Sequence, residues 1–419
     1  MGRPKGRAVR ILRSIGPGVI TGAADDDPSG IATYSIAGAQ FGTGLLWTAL
    51  LTWPMMAAVQ IMCARIGLVT GRGLAGTLKR RFPRWLLVVF VCALLIANII
   101  NIAADLAGMS DAAQMLTGVN SRWFIVVFLL VICWTTVKLS YRRFADVLKW
   151  LVIALFAYPV TAFIVPVNWI EVARSVLLPS LPHSRPEWST LVAILGTTIS
   201  PYLFFWQTSV EIEEEIEAGQ TTLKQRKNAT PEEIAGSRFD VALGTFFSNF
   251  VMFFIIVTTA FTLNKHGITH IATTRDAAEA LRPLAGKAAA LLFTIGLIGV
   301  GLLAVPTLAG SAAYAFADTF TWKQGLGRKF GRAPAFYSVI LLSTIIAAAL
   351  TFTKFDPVRA LYWSAVINGV LSPFLLLTIL VVAIDTKLMN GQPASHTGWL
   401  IVAFTTAAMF IAAIAMFIV

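Results

Sequence analysis

The chain has 419 residues, of which 57% are apolar and 13% are charged. An ordinary soluble domain has about 45–50% apolar and about 25% charged residues, so this composition excludes a water-soluble globular protein. Apolar stretches of about 20 residues, each long enough to cross a bilayer as a helix, recur from end to end. The sequence therefore indicates a polytopic, all-α integral membrane protein.

The net charge of +12 raises the question of a nucleic acid partner. However, the Lys and Arg residues lie mostly in the basic N-terminal segment, 3–13, and in alternate loops, as with Lys79, Arg80 and Arg81. Basic loops stay on the cytoplasmic side of a membrane, so this asymmetry orients the chain. We expect a cytoplasmic N-terminus and no binding of nucleic acid.

Hydropathy predicts eleven spans, at about 15–38, 43–69, 85–117, 122–139, 143–166, 187–212, 238–264, 284–319, 334–353, 357–384 and 397–418. The longest polar stretch, 211–238, is too short to form a core of its own. The whole chain, 1–419, is thus predicted to be a single transmembrane domain.

The first span carries Asp25, Asp26 and Asp27 in an otherwise apolar stretch. One aspartate at a membrane helix centre costs about 2.5–3.5 kcal/mol, so a functional site is the first hypothesis. Pro28 and Gly30 favour a break of the helix over 27–30. A carboxylate and freed carbonyl oxygens suit a hard cation. Which aspartate faces the ion stays open, because neighbours on a helix point about 100° apart.

The sixth span is interrupted at its middle by Gly196, Thr197, Thr198, Ser200 and Pro201. Two five-helix groups, 15–166 and 187–384, would thus each begin with a broken helix and start on opposite sides of the membrane. This pattern predicts inverted repeats, with 397–418 as an extra helix, and a substrate site at the midplane of a secondary transporter. Pro201 by itself could instead mark a simple kink.

Further polar residues lie inside two other spans. Asn98, Asn101 and Asp105 in the third span are spaced three and four apart, on one face of a helix. The two asparagines either line a water path or join helices, and the charge of Asp105 favours a functional role. Asn368 in the tenth span either makes an interhelical hydrogen bond or coordinates the ion.

An ordered set of segments resembles the Nramp family of divalent metal transporters. The segments are GPG at 16–18, Asp27 and Pro28 followed by ATYSIAGAQFGTGLLW, GRGLAGTLKRRFPRW at 71–85, and AADLAGMSDAA at 103–113. The resemblance covers almost the whole chain. It implies a LeuT-like fold of about eleven transmembrane helices with helices 1 and 6 broken.

The departures from the family pattern bear on the ion. In the first broken helix the family usually has Asp-Pro-Gly-Asn, and here Ser29 and Gly30 replace the Gly and the Asn. In the sixth helix the family usually has Met-Pro-His, and here Ser200 replaces the Met and Tyr202 the His. Because Ser200 replaces the methionine, the site loses a thioether sulfur and keeps only oxygen ligands. Oxygen ligands suit a partly hydrated magnesium ion. The sequence thus resembles the Nramp-related magnesium transporter branch. The resemblance implies the metal ligands Asp27, Ser200, Thr197, Gly30 and Asn368, and the pathway residues Asp26, Asp105 and Asn101.

The proton relay of the family is interrupted. Its acidic residue three positions after Asp105 corresponds to Gly108, and its basic pair in the ninth helix falls near Phe336 and Tyr337. The prediction is therefore a transporter that imports Mg²⁺, with Mn²⁺ as a second candidate, by alternating access and without proton coupling. The alternatives are a proton-coupled Mn²⁺ or Fe²⁺ symporter and a sodium-coupled carrier of organic solutes.

An enzyme is not expected, because the spans carry no nucleophile and base of the kind that catalysis needs. No cofactor is expected either: the divalent ion is substrate. We expect the lipid bilayer of a bacterial inner (plasma) membrane as surroundings. The oligomeric state stays open, and a monomer is compatible with the sequence.

Overall fold

The computed structural model describes residues 17–138, 153–353 and 356–419, and the regular secondary structure in this part of the chain is entirely helical. Its α-helices are α1 Pro17–Asp25, α2 Pro28–Phe41, α3 Trp47–Thr70, α4 Leu74–Leu78, α5 Arg84–Thr117, α6 Ser121–Lys138, α7 Ala157–Ile164, α8 Trp169–Leu177, α9 Arg185–Thr198, α10 Pro201–Glu217, α11 Pro231–Thr262, α12 Thr274–Glu279, α13 Arg282–Ala285, α14 Ala289–Phe320, α15 Pro334–Thr351, α16 Pro357–Ala383 and α17 His396–Ile418.

Within these ranges, nine helical spans are long and apolar enough to cross a membrane when α9 and α10 are counted together as Arg185–Glu217, and there are ten if the bent pair Ala154–Ile164 and Trp169–Leu177 is one span. The predicted first span is not among them, because it is divided into helices of 9 and 14 residues. The first ten residues of the predicted fifth span, 143–166, and the basic segment 3–13 lie outside the described residues. The prediction of an all-helical membrane protein is confirmed.

Both predicted breaks are present, and each has the same local cause. Asp27 and Ser200 are extended, with ψ of 170° and 136°, and the next residue, Pro28 or Pro201, opens a new helix. A residue before proline avoids helical backbone, and proline fits the first turn of a helix, where its missing N–H needs no partner. The first break is earlier than predicted: α1 ends at Asp25, and Gly30 lies inside the first turn of α2.

The two halves of the first broken span pack on α11. Gly22 in α1 lies so close to the backbone of Gly244 in α11 that an added Cβ atom would collide with it. Gly38 in α2 meets the Thr259 side chain and the Ile256 carbonyl of α11 equally closely. Glycine is needed here for the close approach of two helices, as is common inside membranes.

We expect Gly22→Ala to lower the free energy of unfolding by about 1–3 kcal/mol, the usual result of overpacking. The thermal unfolding midpoint of the purified variant in detergent measures this. Gly236→Ala is the matched control, because its Cβ atom would have no neighbour within 4 Å, and alanine favours the helix by roughly 0.5–1 kcal/mol. Equal midpoints for the wild type and Gly22→Ala would contradict the packing argument.

Two other helices are held beside the breaks. Helix α9 packs on α16, where Gly196 lies against the backbone of Gly369, which in turn lies against Val192. Helix α5 packs along α14 and also contacts α2. The polar residues of the third and tenth predicted spans are therefore brought to the two breaks.

Candidate metal site at the two helix breaks

Asp27 lies between α1 and α2 and caps the N-terminus of α2. Its Oδ1 accepts hydrogen bonds from the Gly30 N–H at 2.8 Å and the Ser29 hydroxyl at 2.5 Å. Its Oδ2 accepts one from Nδ2 of Asn101 in α5 at 3.1 Å. The carboxylate is 2% exposed. It is thus oriented by three donors and keeps a lone pair on Oδ2, which accepts only one hydrogen bond, for a cation.

Asp25 and Asp26 point toward a different neighbour. The hydroxyl of Ser248 in α11 donates to Asp25 Oδ2 at 2.7 Å and lies 3.1 Å from Asp26 Oδ1. Asp27, in contrast, bonds to α5. The structure thereby separates the three carboxylates: Asp27 lies at the break facing α5, and its two neighbours face α11.

The second break supplies neutral oxygens. The Ser200 hydroxyl donates to the carbonyl oxygens of Gly196 at 2.6 Å and Thr197 at 2.9 Å, so its own lone pairs remain free to bind a cation. The Thr197 side-chain oxygen is buried and interacts with the Tyr34 hydroxyl of α2. A Cβ atom on Gly30 would lie 3.0 Å from the Thr197 oxygen. This approach brings the first turn of α2 against the end of α9, so the two breaks meet.

Tyr202 joins the broken helices as well. Its hydroxyl donates to the carbonyl oxygen of Ala24 at 3.1 Å, which ties the start of α10 to the last turn of α1. The side chain is completely buried. Sequence reasoning noted Tyr202 only as a replaced histidine, although its place directly after Pro201 was the available signal.

The three polar residues on one face of α5, Asn98, Asn101 and Asp105, make different contacts. Asn98 donates to the Leu308 carbonyl at 2.8 Å and the Ser311 hydroxyl at 2.9 Å, both in α14, so it joins helices. Asn101 donates a hydrogen bond to the Asp27 carboxylate instead. Asp105, one turn further on, is fully buried close to Asp27, and its carboxyl group interacts with the Ser29 N–H.

Asn368 in α16 is 1% exposed, and neither atom of its side-chain amide has a hydrogen-bond partner in the described part of the chain. The interhelical hydrogen bond offered by the sequence as one alternative is therefore not made by this amide. Its neighbour Ser372 makes one, donating to the Ile199 carbonyl at 2.6 Å. Ser248 was missed from sequence, because serine is common in membrane helices and carried no spacing signal.

The site is thus rich in buried oxygen atoms and poor in charge clusters. Across the described ranges, no group of three or more His, Cys, Asp or Glu side chains is arranged to hold a metal. A buried polar atom without a partner is costly unless water or an ion serves it. Asn368 carries two such atoms. One central carboxylate with neutral oxygens around it suits a cation that keeps part of its water shell.

The position one turn beyond Asp105 on α5 is Gly108, which has no side chain to continue a relay. A Cβ atom at Gly108 would lie 2.9 Å from Leu361 Cδ1, so an acidic side chain there would have to displace leucine. In the first turn of α15, the Tyr337 hydroxyl donates to the Arg328 carbonyl at 2.7 Å. Neither position offers an acid or a base to continue a relay.

A bundle whose first and sixth spans are broken around one site is a secondary transporter of the LeuT-like fold. Mhp1 in its inward facing conformation is similar at a TM-score of 0.55 and 13% identity, over 96% of this chain and 89% of that chain. A Na⁺-coupled sialic acid symporter is similar at 0.51 and 11% identity, over 98% and 96% of the two chains.

The likeness is greater to the Eremococcus coleocola manganese transporter in complex with an aromatic bis-isothiourea substituted compound. The TM-score is 0.76 at 17% identity, over 99% of this chain and 89% of that chain. A sequence model of the Nramp family, described as natural resistance-associated macrophage protein-like, matches residues 18–419. The chain belongs to the Nramp family. It is a transporter and not an enzyme, and the family implies a divalent metal ion as its substrate.

Proposed function

We propose that this protein imports Mg²⁺ by alternating access, with Asp27 as the central ligand and Mn²⁺ as a secondary substrate. The observation that carries the proposal is the donor set at the two breaks. Asp27, the Ser200 hydroxyl, the Thr197 oxygens and Asn368 are all hard oxygen donors. Magnesium is usually bound through one or two carboxylates while it keeps several waters, and sulfur ligands would favour softer ions.

The Gly30 backbone plays a different part in this proposal. Because Gly30 lies inside α2, its carbonyl oxygen is directed along the helix and not into the break. Its lack of a side chain leaves room beside the Thr197 hydroxyl. We assign Gly30 to the size of the site and Asp26 and Asp105 to the pathway around it.

The proposed orientation has a cytoplasmic N-terminus in the inner membrane of a bacterium, with 15–166 and 187–384 as inverted repeats of one domain. A cavity of about 640 Å³ supports it, because loops predicted on the same side meet there. Arg72 and Arg80 from one loop line this cavity together with Arg226 and Arg328 from two others. Such a concentration of basic residues is typical of the cytoplasmic face.

Uptake by the purified protein in liposomes, with Mg²⁺, Mn²⁺ and Ca²⁺ compared at equal concentration, tests the substrate. We expect an inside-negative potential to drive Mg²⁺ entry, since two charges moving across about 100 mV gain roughly 4.6 kcal/mol. Transport of Mn²⁺ with exclusion of Mg²⁺ would overturn the proposal. A proton-coupled Mn²⁺ symporter is the second candidate, and it is favoured by Asp105, a titratable group that is fully buried one turn from Asn101.

Proton coupling separates the two candidates. We expect Mg²⁺ entry without acidification of the liposome interior, because Gly108 and Tyr337 cannot continue a relay from Asp105. A pH-sensitive dye inside the liposomes, read during uptake, measures this, and metal-free liposomes under the same potential are the control. Acidification that tracks metal entry and stops when metal is omitted would restore the symporter.

A further inference from the structure

A groove on the outside of the bundle carries two arginines at one end. It runs along one face of α3, where Pro54, Ala57, Ile61 and Arg65 follow each other at helical spacing, and its other wall is the start of α17 around Gly398. Its volume is about 280 Å³. An adjoining cavity of about 600 Å³ is lined by Arg65, Arg238 and Phe239. The two cavities share both arginines, so they form one continuous surface.

Both arginines lie at the same end of the bundle and at similar depth. Arg65 is five residues before the end of α3, and Arg238 is seven residues after the start of α11, or about 8 and 11 Å at 1.5 Å per residue. The two helix ends are held together, because the Asn228 N–H donates to the Val69 carbonyl at 3.2 Å. Both arginines thus lie within about two helical turns of the same end of the bundle, where membrane helices approach the headgroups.

Neither arginine has an acidic partner in the described part of the chain. Arg65 Nε donates to the carbonyl oxygen of Gln392 at 3.3 Å, and the side chain of Arg238 is exposed. Two positive charges beside an apolar groove without a carboxylate are complementary to an anion that carries an apolar chain.

The surface next to the groove faces lipid. Phe239, Phe246 and Phe247 of α11 are 63%, 41% and 43% exposed, and Trp53 of α3 packs edge-on against Phe246 with ring centroids 5.3 Å apart. Exposed aromatic side chains on a membrane helix contact acyl chains and the interface. A molecule in the groove is thus in contact with the bilayer along its length.

We propose that this groove is a binding site for an anionic phospholipid, with its phosphate between Arg65 and Arg238 and one acyl chain along α3. Basic pockets between transmembrane helices at a membrane interface bind anionic headgroups in this way. The small residues Ala57 and Gly398 leave the space that the chain occupies. This site is separate from the two helix breaks, so it stands independently of the ion that is transported.

Native mass spectrometry of the purified protein, titrated with dioleoyl phosphatidylglycerol or dioleoyl phosphatidylcholine, tests the site. We expect the wild type to prefer the anionic lipid. The double variant Arg65→Gln, Arg238→Gln should lose about 25-fold of this preference, at roughly fivefold for each arginine. The matched control is Arg81→Gln, Arg84→Gln, which removes the same charge from exposed positions near the start of α5 and should keep the preference.

Three results would overturn the proposal: equal binding of both lipids by the wild type, equal loss in the two double variants, or displacement of the anionic lipid by millimolar inorganic phosphate, which would indicate a site for a free ion. If the first double variant does not fold, Arg238→Gln alone provides the test, because this side chain is exposed. It should lose about fivefold of the preference. The variant Arg65→Lys, Arg238→Lys keeps the charge and should retain binding.

Discussion

Asp27→Asn is expected to reduce metal uptake by more than about 100-fold. Loss of a side chain that only supports a metal ligand typically lowers metal affinity or activity by about 10–100-fold, and Asp27 is itself the proposed ligand. Asparagine caps a helix about as well as aspartate does, so α2 should still begin at Pro28. The variant removes the negative charge at the break and leaves only neutral oxygens from Ser200, Thr197 and Asn368. Uptake into liposomes at matched protein content gives the rate. Asp27→Ala should abolish uptake too, with a further loss of about 1 kcal/mol in stability from the missing cap.

Asp356→Asn is the matched control for this prediction. Asp356 also caps a helix that begins with proline, and its side chain accepts from the Arg359 N–H, but it is exposed and far along the chain from the breaks. We expect uptake by this variant to equal that of the wild type. If Asp27→Asn, folded and with an unchanged melting temperature, also transported at the wild-type rate, Asp27 would not be the central ligand.

Ser200→Met is expected to reverse the preference between hard and soft ions. The substitution removes the hydroxyl that bonds to the Gly196 and Thr197 carbonyls and places a thioether at the second break. Sulfur favours Mn²⁺ and Cd²⁺ over Mg²⁺, and the larger side chain displaces water that a magnesium ion keeps. We expect Mn²⁺ and Cd²⁺ to inhibit uptake at concentrations lower by about tenfold, roughly 1.4 kcal/mol of binding energy, and Mg²⁺ uptake to fall.

Ser343→Met in α15 controls for the bulk of methionine in a buried helix. The Ser343 hydroxyl also donates to a backbone carbonyl of its own helix, that of Ile340 at 3.0 Å. This variant should keep the wild-type order of inhibition, whatever its stability. The same order in Ser200→Met would show that position 200 does not line the ion site.

Much of the fold could be predicted from sequence, because local rules govern it. The composition indicates membrane helices, and the pairs Asp27–Pro28 and Ser200–Pro201 predict the two breaks through the backbone restrictions that proline imposes. The exact start of α2 was misplaced. Glycine can interrupt a helix, but the Asp27 carboxylate accepts from the Gly30 N–H and so caps α2. This cap places the start of the helix at Pro28.

The sequence by itself determined the class of protein, the broken spans and the residue types available for a cation. Only the tertiary structure decided which of these residues meet. Asp27 and not Asp25 bonds to Asn101, and Asn98 joins α14 while Asn101 serves the site. Each of these contacts depends on how a helix is rotated about its axis, because successive side chains of a helix point about 100° apart. That rotation is set by the packing of segments that are distant in sequence, such as α11 against α1.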